Sequence, residues 1–274
     1  MADTTENLPK FSNPPLVETV LGVQFASIPG FTSGHCGWYW KKYLDSSWVK
    51  TSELPALPDQ FEKFGHQDWR PPSIKLTASL APHPSRLQII NSDDDQVIQI
   101  QKNRFIYNWR KRDSVYPSFD KLFPDFLSKF SGFRDFLEAA GLGTPSPNQW
   151  EVSYVNHIPK GSLWETPGDW HLVLPGLYPL PLSLDDAKFE SMTSEVHYEI
   201  IPKRGRLHIS VHHGKVYDDN KNDREIIVLH LTARGPVLSD KSGWDTDMKI
   251  GHQVLVRTFA RIASQRALEY WGVA

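Results

Sequence analysis

Five histidines cluster between positions 197 and 230 in the second half of this chain: His197, His208, His212, His213 and His230. Strand side chains alternate between two faces, so a strand over Ser194 to Ile201 sends Glu195, His197 and Glu199 to one side. The same alternation over Arg206 to His213 sends His208, Ser210 and His212 to one side. Paired strands would then gather imidazoles and a carboxylate, the ligand set of zinc and of non-haem iron. The plainer account is the solvated face of a half-exposed sheet, and the sequence favours it. His-x-x-x-His on a strand lacks the convergence of a helical His-Glu-x-x-His, a motif this chain does not contain. No metal is therefore expected; if one bound, His197, His208 and His212 would be its ligands. Acid–base work by Glu151, Glu195 or Glu199 would need a desolvating pocket that lifts a carboxyl pKa, and nothing in the sequence supplies one.

Other chemistries have less to stand on. Cys36 is the only cysteine, which excludes an intrachain disulfide framework and a cysteine zinc cluster. It sits in Gly34-His35-Cys36-Gly37, where sequence neighbours do not face each other, and reads as small core filler. Neither Gly-x-Gly-x-x-Gly nor Gly-x4-Gly-Lys-Ser/Thr occurs, and Gly141-Leu-Gly143 follows a helix where a phosphate loop would follow a strand. No cofactor is expected. A polar face over the first half would carry Lys75, Thr77, Arg86, Gln88, Gln99, Gln101, Asn108 and Arg110. Such cations and amides can hold phosphates and base edges, and Trp109-Arg110-Lys111-Arg112 adds local positive charge. Across the chain, however, 30 Lys and Arg stand against 32 Asp and Glu, which disfavours nucleic acid.

The elements that must position these residues follow from periodicity. Asn13-Pro14-Pro15 delivers an extended start, and Leu16 to Ala26 reads as a buried strand with Val17, Thr19, Leu21, Val23 and Phe25 on one face. Trp38 to Leu44 reads as a helix, and Ser52 to Gly65 as a long connection. Strands are expected at Ile74 to Leu80, Leu87 to Asn91, Gln96 to Lys102 and Phe105 to Trp109. Phe119, Leu122, Phe123, Phe126, Phe130, Phe133 and Leu137 repeat at helical spacing, with Pro124 able to kink or split that helix. Thr144-Pro-Ser-Pro147 marks a boundary between halves.

After it come a strand over Gln149 to Ile158 and a connection from Pro159 to Asp186 with no assignable regular structure. Further strands are expected at Ser194 to Ile201, Arg206 to His213 and Glu225 to Ala233, with His213-Gly214 in a turn. A helix from about Asp247 buries Met248, Leu255, Phe259 and Ile262, and Ser264 caps a last short helix ending at Trp271-Gly272. Arg86-Leu87-Gln88-Ile89 returns as Arg206-Leu207-His208-Ile209, which suggests one unit built twice.

Several spaced residues extend across nearly the whole chain: Asn13, Pro14, Pro15 and Glu18; Asn108, Trp109, Arg110, Tyr116 and Pro117; Tyr154, Asn156 and Ile158; His252, Phe259, Ile262, Trp271 and Gly272. In these the chain resembles a sporadically distributed bacterial protein family of about this length, one with no assigned activity. The resemblance implies bacterial ancestry and mobile or accessory genes, and no reaction.

The expectation is thus an α+β fold of two tandem β-α-β(3-4)-α halves, residues 13–145 and 146–274, after a flexible 1–12. Their antiparallel strands would form one extended sheet with long helices on one face, like the TATA-binding protein or a helix-grip cleft. Function is expected to be non-enzymatic binding of another protein, as in a bacterial defence or toxin–antitoxin pair. The binding face would carry Lys75, Arg86, Gln88, Gln99, Asn108, Arg110, Glu195, His197, Glu199, His208 and His212. The alternatives are a metal-assisted hydrolase on the His/Glu face and a nucleic-acid saddle. With neither a secretory leader nor an apolar run of roughly 18 residues, the chain is expected to be cytoplasmic and away from membranes.

Overall fold

The computed structural model describes residues 8–65, 85–112, 116–177, 185–200, 203–217, 223–238 and 243–274. The expected strand over Ile74 to Leu80, together with Lys75 and Thr77, lies outside the described residues. The described chain divides into two compact units. The unit that contains strand β2 (Trp48–Pro55) comprises Val20–Glu151 and Arg234–Asp247; the unit that contains strand β7 (Ser194–Ile200) comprises the residues up to Thr19, Val152–Ala233 and Met248–Ala274. The units are interleaved in sequence, so residues 13–145 and 146–274 each contribute to both.

In the β2 unit, β1 (Leu16–Phe25) is followed by α1 (Ser33–Tyr43), β2 (Trp48–Pro55), β3 (Ser85–Asn91), β4 (Gln96–Gln101), β5 (Arg104–Arg110) and α2 (Phe119–Ala139). The strand order is β2-β3-β4-β5-β1, continued by the first residues of β6 (Pro147–Pro159) and the last of β9 (Asp223–Pro236). The pairs β2–β3, β3–β4 and β4–β5 are antiparallel. Phe105, Tyr107 and Trp109 share a face and are buried, as the alternation of β5 requires. Phe105 meets Phe133 at 5.2 Å and Phe130 at 5.5 Å between ring centroids. Each such ring, moved from water into the core, contributes about 1.5–3 kcal/mol. The phenylalanine stripe of α2 is therefore the core of this unit. Pro124 does not split α2, which runs unbroken to Ala139. It sits on the exposed side near the first turn, where its missing N–H frees a carbonyl that solvent can satisfy.

One sequence expectation changes here. Ser52–Gly65 is not a single connection, because Trp48–Pro55 forms the edge strand β2. Residues from Val49 to Glu53 are all exposed, so no apolar alternation announces it.

In the β7 unit the order is β1-β6-β9-β8-β7, with β7 at Ser194–Ile200 and β8 at Gly205–Tyr217. Between β6 and β7 the expected irregular stretch contains a 3-10 turn, Pro167–Asp169, and a short helix α3, Trp170–Val173. Gly214 lies inside β8 and not in a turn. Helix α4 (Trp244–Ile262) buries Met248, Leu255, Phe259 and Ile262, the stripe read from sequence. Ser264 caps α5 (Gln265–Tyr270) by accepting from the Ala267 N–H at 3.2 Å.

The described part of the expected flexible N-terminus is tied down. Ser12 N–H donates to Gly272 O at 3.1 Å, Asn13 N–H to Trp271 O at 3.0 Å, and Ala274 N–H to Lys10 O at 2.9 Å. Phe11 packs edge-on against Phe259 at 5.1 Å, and Phe259 stacks on Trp271 at 5.0 Å. Gly272 has φ +67°, and a Cβ there would fall against Ser12 Oγ and 3.2 Å from Ser12 Cβ. Among the described residues no helix is long and apolar enough to cross a membrane.

The architecture is an α+β fold with an extended antiparallel sheet and helices on one face, and its element order repeats. β1-α1-β3-β4-β5-α2 is matched by β6-α3-β7-β8-β9-α4. The repeated tetrapeptide does not fall on equivalent strands in that alignment: counted back from the long helix, Arg86–Ile89 lies on the third strand and Arg206–Ile209 on the second.

Candidate binding faces

In the β7 unit, β7 and β8 pair with Glu195 opposite Ser210, His197 opposite His208, and Glu199 opposite Arg206. The predicted convergence of His197 and His208 is thus present: their Nδ1 atoms are 2.9 Å apart. At that distance one Nδ1 must carry a hydrogen and the other a lone pair. Glu195 Oε1 lies 3.7 Å from His197 Nε2. His212 stands apart from this pair. It is four residues along β8 from His208, roughly 13 Å at about 3.3 Å per residue, which is too far to share a metal with it. Among the described residues, no group of three or more His, Cys, Asp or Glu side chains is placed to hold a metal ion.

Two further imidazoles join the same face. Thr232 Oγ1 is 2.7 Å from Ser153 and 3.3 Å from His230 Nε2, which places Ser153 and His157 of β6 with His230 of β9. Burial, and secondly the charge of nearby His212, hold the His157 imidazole below its ordinary pKa. Five imidazoles, His157, His197, His208, His212 and His230, therefore share one face of β6-β9-β8-β7. Glu195, Glu199 and His212 are exposed there, and the other four histidines are half-buried. His213 faces the other way, near Trp170 at 5.5 Å, with its Nε2 3.1 Å from Glu225. Glu225 also pairs with Lys160 at 2.7 Å, which lowers its pKa.

In the β2 unit the predicted polar face exists, but much of it is occupied by the protein itself. Gln88 pairs with Gln99 and donates to it at 3.2 Å, and Gln99 donates to Asn108 at 2.9 Å. Gln99 and Asn108 are buried. Arg110 and Arg112 both bind the Asp94 carboxylate, at 2.9 and 2.8 Å. Burial would raise the Asp94 pKa, but the Arg112 hydrogen bond and the two guanidinium charges outweigh it and hold it low. Burial also lowers the Arg86 pKa. Two of the three cations read from Trp109-Arg110-Lys111-Arg112 thus share one aspartate.

The residues that sequence reasoning missed lie beside these. After β2, residues 56–62 cross the polar face as a strap without regular structure. Gln101 accepts from the Leu57 N–H at 2.9 Å and donates to the Leu57 carbonyl at 3.0 Å. Gln24 does the same for Gln60, accepting at 2.9 Å and donating at 3.1 Å. Arg104 donates to the Pro58 carbonyl at 3.0 Å, Gln149 accepts from the Glu62 N–H at 3.1 Å, and Asn103 holds Asp59. Arg234 grips the Glu62 carboxylate at 2.7 and 2.9 Å and reaches Gln60 Oε1 at 2.5 Å. No spacing in 56–62 forecasts this. The one available signal is that Gln24 and Gln101 occupy positions of strands that otherwise bury apolar side chains.

The chain matches no protein-family model and no curated protein. Two other sites are accounted for by the fold. Tyr154 Oη is 2.6 Å from His252 Nδ1 and links β6 to α4. The Cys36 thiol is buried and pushed up to about 12, chiefly by desolvation, which leaves it a core filler and not a nucleophile.

Proposed function

We propose that the protein is a non-enzymatic binding protein that holds a protein partner on the imidazole face of the β7 unit. One observation carries this reading: five histidines and the exposed carboxylates Glu195 and Glu199 share a face of β6-β9-β8-β7. An imidazole in its neutral form both donates and accepts hydrogen bonds while offering apolar ring surface, which is the mixed character of a recognition surface. Glu195 and Glu199 add negative charge suited to lysine or arginine on the partner. The hydrolase reading draws little support from a histidine pair whose third member stands too far away. The nucleic-acid reading draws little from arginines bound to Asp94 and amides bound to one another.

Following the bacterial accessory-gene resemblance, the partner is proposed to be encoded nearby, as in a defence or toxin–antitoxin pair, and the setting to be cytoplasmic. The test is affinity purification of the tagged full chain co-expressed with its neighbouring genes. A stoichiometric partner with the wild type that is lost with Glu195→Arg plus His212→Glu is the expected result. The reading fails if the wild type elutes alone, or if the double variant retains the partner unchanged.

A further inference from the structure

We infer that the polar face of the β2 unit is a site for an extended peptide, filled in the resting chain by the protein's own strap, 57–62. This site is separate from the imidazole face and does not rest on it. The argument starts from how the strap is held. Gln24 and Gln101 each present an amide that accepts from one strap N–H and donates to the same residue's carbonyl. A side-chain amide used this way reproduces the pairing that a neighbouring β-strand would offer. The two pairs grip main chain at Leu57 and Gln60, three residues apart, with no demand on either side chain. Gln149 pairs with one more N–H, and Arg104 with the Pro58 carbonyl. Side-chain recognition comes from Asn103 on Asp59 and from Arg234, whose guanidinium reaches Gln60 Oε1 and holds the Glu62 carboxylate through two nitrogens, a geometry suited to acidic recognition. A fitting segment is thus extended, with an acidic residue five positions after the first paired residue.

Three observations make the strap exchangeable. It is attached by polar bonds, the neutral ones each worth about 0.5–1.5 kcal/mol net and those to charged groups, Arg234–Glu62 chief among them, about 1.5–3 kcal/mol, with little apolar burial: Pro58, Asp59 and Phe61 are exposed, and Leu57 is only half-buried. Segments of that kind open well below the global unfolding free energy. A cleft of about 920 Å³ borders its first half, lined by Pro55–Asp59 together with Leu87, Gln101 and Asn103. Beneath the strap, Arg104 is buried and its Nε has no hydrogen-bond partner among the described residues, leaving a donor in reserve for an incoming carbonyl. The chemistry of the occupant follows: a partner's extended, acidic segment that displaces the strap.

The probe is a fluorescein-labelled synthetic peptide spanning Ala56–Lys63, titrated by polarisation into the full-length protein. In the wild type the strap competes from within the same molecule at an effective concentration of about millimolar, so binding is weak. Glu62→Ala loosens the strap and leaves Gln24, Gln101 and Arg234 in place; it should tighten peptide binding at least about tenfold. In that background Gln24→Leu or Gln101→Leu should abolish it, as should replacing the peptide's glutamate with alanine. The inference is overturned if Glu62→Ala binds no better than wild type, or if the glutamine changes leave binding intact. Should the glutamine variants fail to fold, hydrogen exchange of the wild type decides. Leu57, Gln60 and Glu62 amides must exchange faster than those of Ile98 and Tyr107 in the β4–β5 ladder; equal protection makes the strap a fixed wall and ends the proposal.

Discussion

Gly272→Ala tests whether the chain's two ends are locked by the contact described above. Two costs act together. A residue with a Cβ held at φ +67° pays roughly 1–2 kcal/mol relative to glycine. The new methyl also falls against Ser12 Oγ and 3.2 Å from Ser12 Cβ, and forcing a group into a packed contact costs typically about 1–3 kcal/mol. Rotation about χ1 can move the Ser12 hydroxyl but not its Cβ, which is held because the Ser12 and Asn13 N–H groups bind the carbonyls of Gly272 and Trp271. The expected loss is about 2–5 kcal/mol. Urea unfolding followed by tryptophan fluorescence measures it, with Trp271 beside the site. Ser12→Gly alone should cost little, and Ser12→Gly with Gly272→Ala should recover the clash part and leave about 1 kcal/mol of backbone strain. If Gly272→Ala is neutral, or if Ser12→Gly brings no relief, the Ser12–Gly272 contact is not what fastens residues 10–13, and the reasoning is wrong.

Other perturbations separate core from surface. Phe133 is fully buried and meets Tyr39 at 5.5 Å and Phe105 at 5.2 Å, so Phe133→Ala should cost about 3–5 kcal/mol in the same denaturation assay. Phe133→Leu should cost about 1–1.5 kcal/mol. Because the folded His157 imidazole lies below its ordinary value, the unfolded chain binds a proton that the folded one refuses. The associated stability is complete above the ordinary imidazole pKa and falls as the pH drops through and below it; His157→Gln should flatten that slope in urea titrations at several pH values. The Cys36 thiol, raised to about 12, should resist a disulfide reagent at about pH 8 in the native protein and react promptly once denatured. Rapid labelling of the folded chain would contradict its burial.

Large residues at strong periodicity made much of the fold legible. The α2 phenylalanines and the α4 stripe could bury only one face, and β3 to β5 alternate cleanly. β2 hid because an exposed edge strand has no apolar side to show. The histidine pair was half legible. Alternation placed His197 and His208 on the right faces, but only the β7–β8 register puts them opposite each other, and only the order β6-β9-β8-β7 recruits His157 and His230. The repeated Arg-Leu-x-Ile pointed to a repeated architecture by way of strands that do not correspond. Arg234 and Glu62 lie far apart in the chain, and no local pattern connects such a pair. Gln24 and Gln101 read as ordinary polar residues because their role depends on which backbone lies against them.

A primary amide that grips peptide groups is indifferent to what those residues carry. Selection acting on the strap, or on any segment that replaces it, would preserve its length, its extended course and one carboxylate while letting most letters drift. Kinship between such segments would then be recorded in shape more durably than in spelling. Changing Gln24 or Gln101 to glutamate would swap an NH2 for an oxygen and set a negative oxygen against a carbonyl.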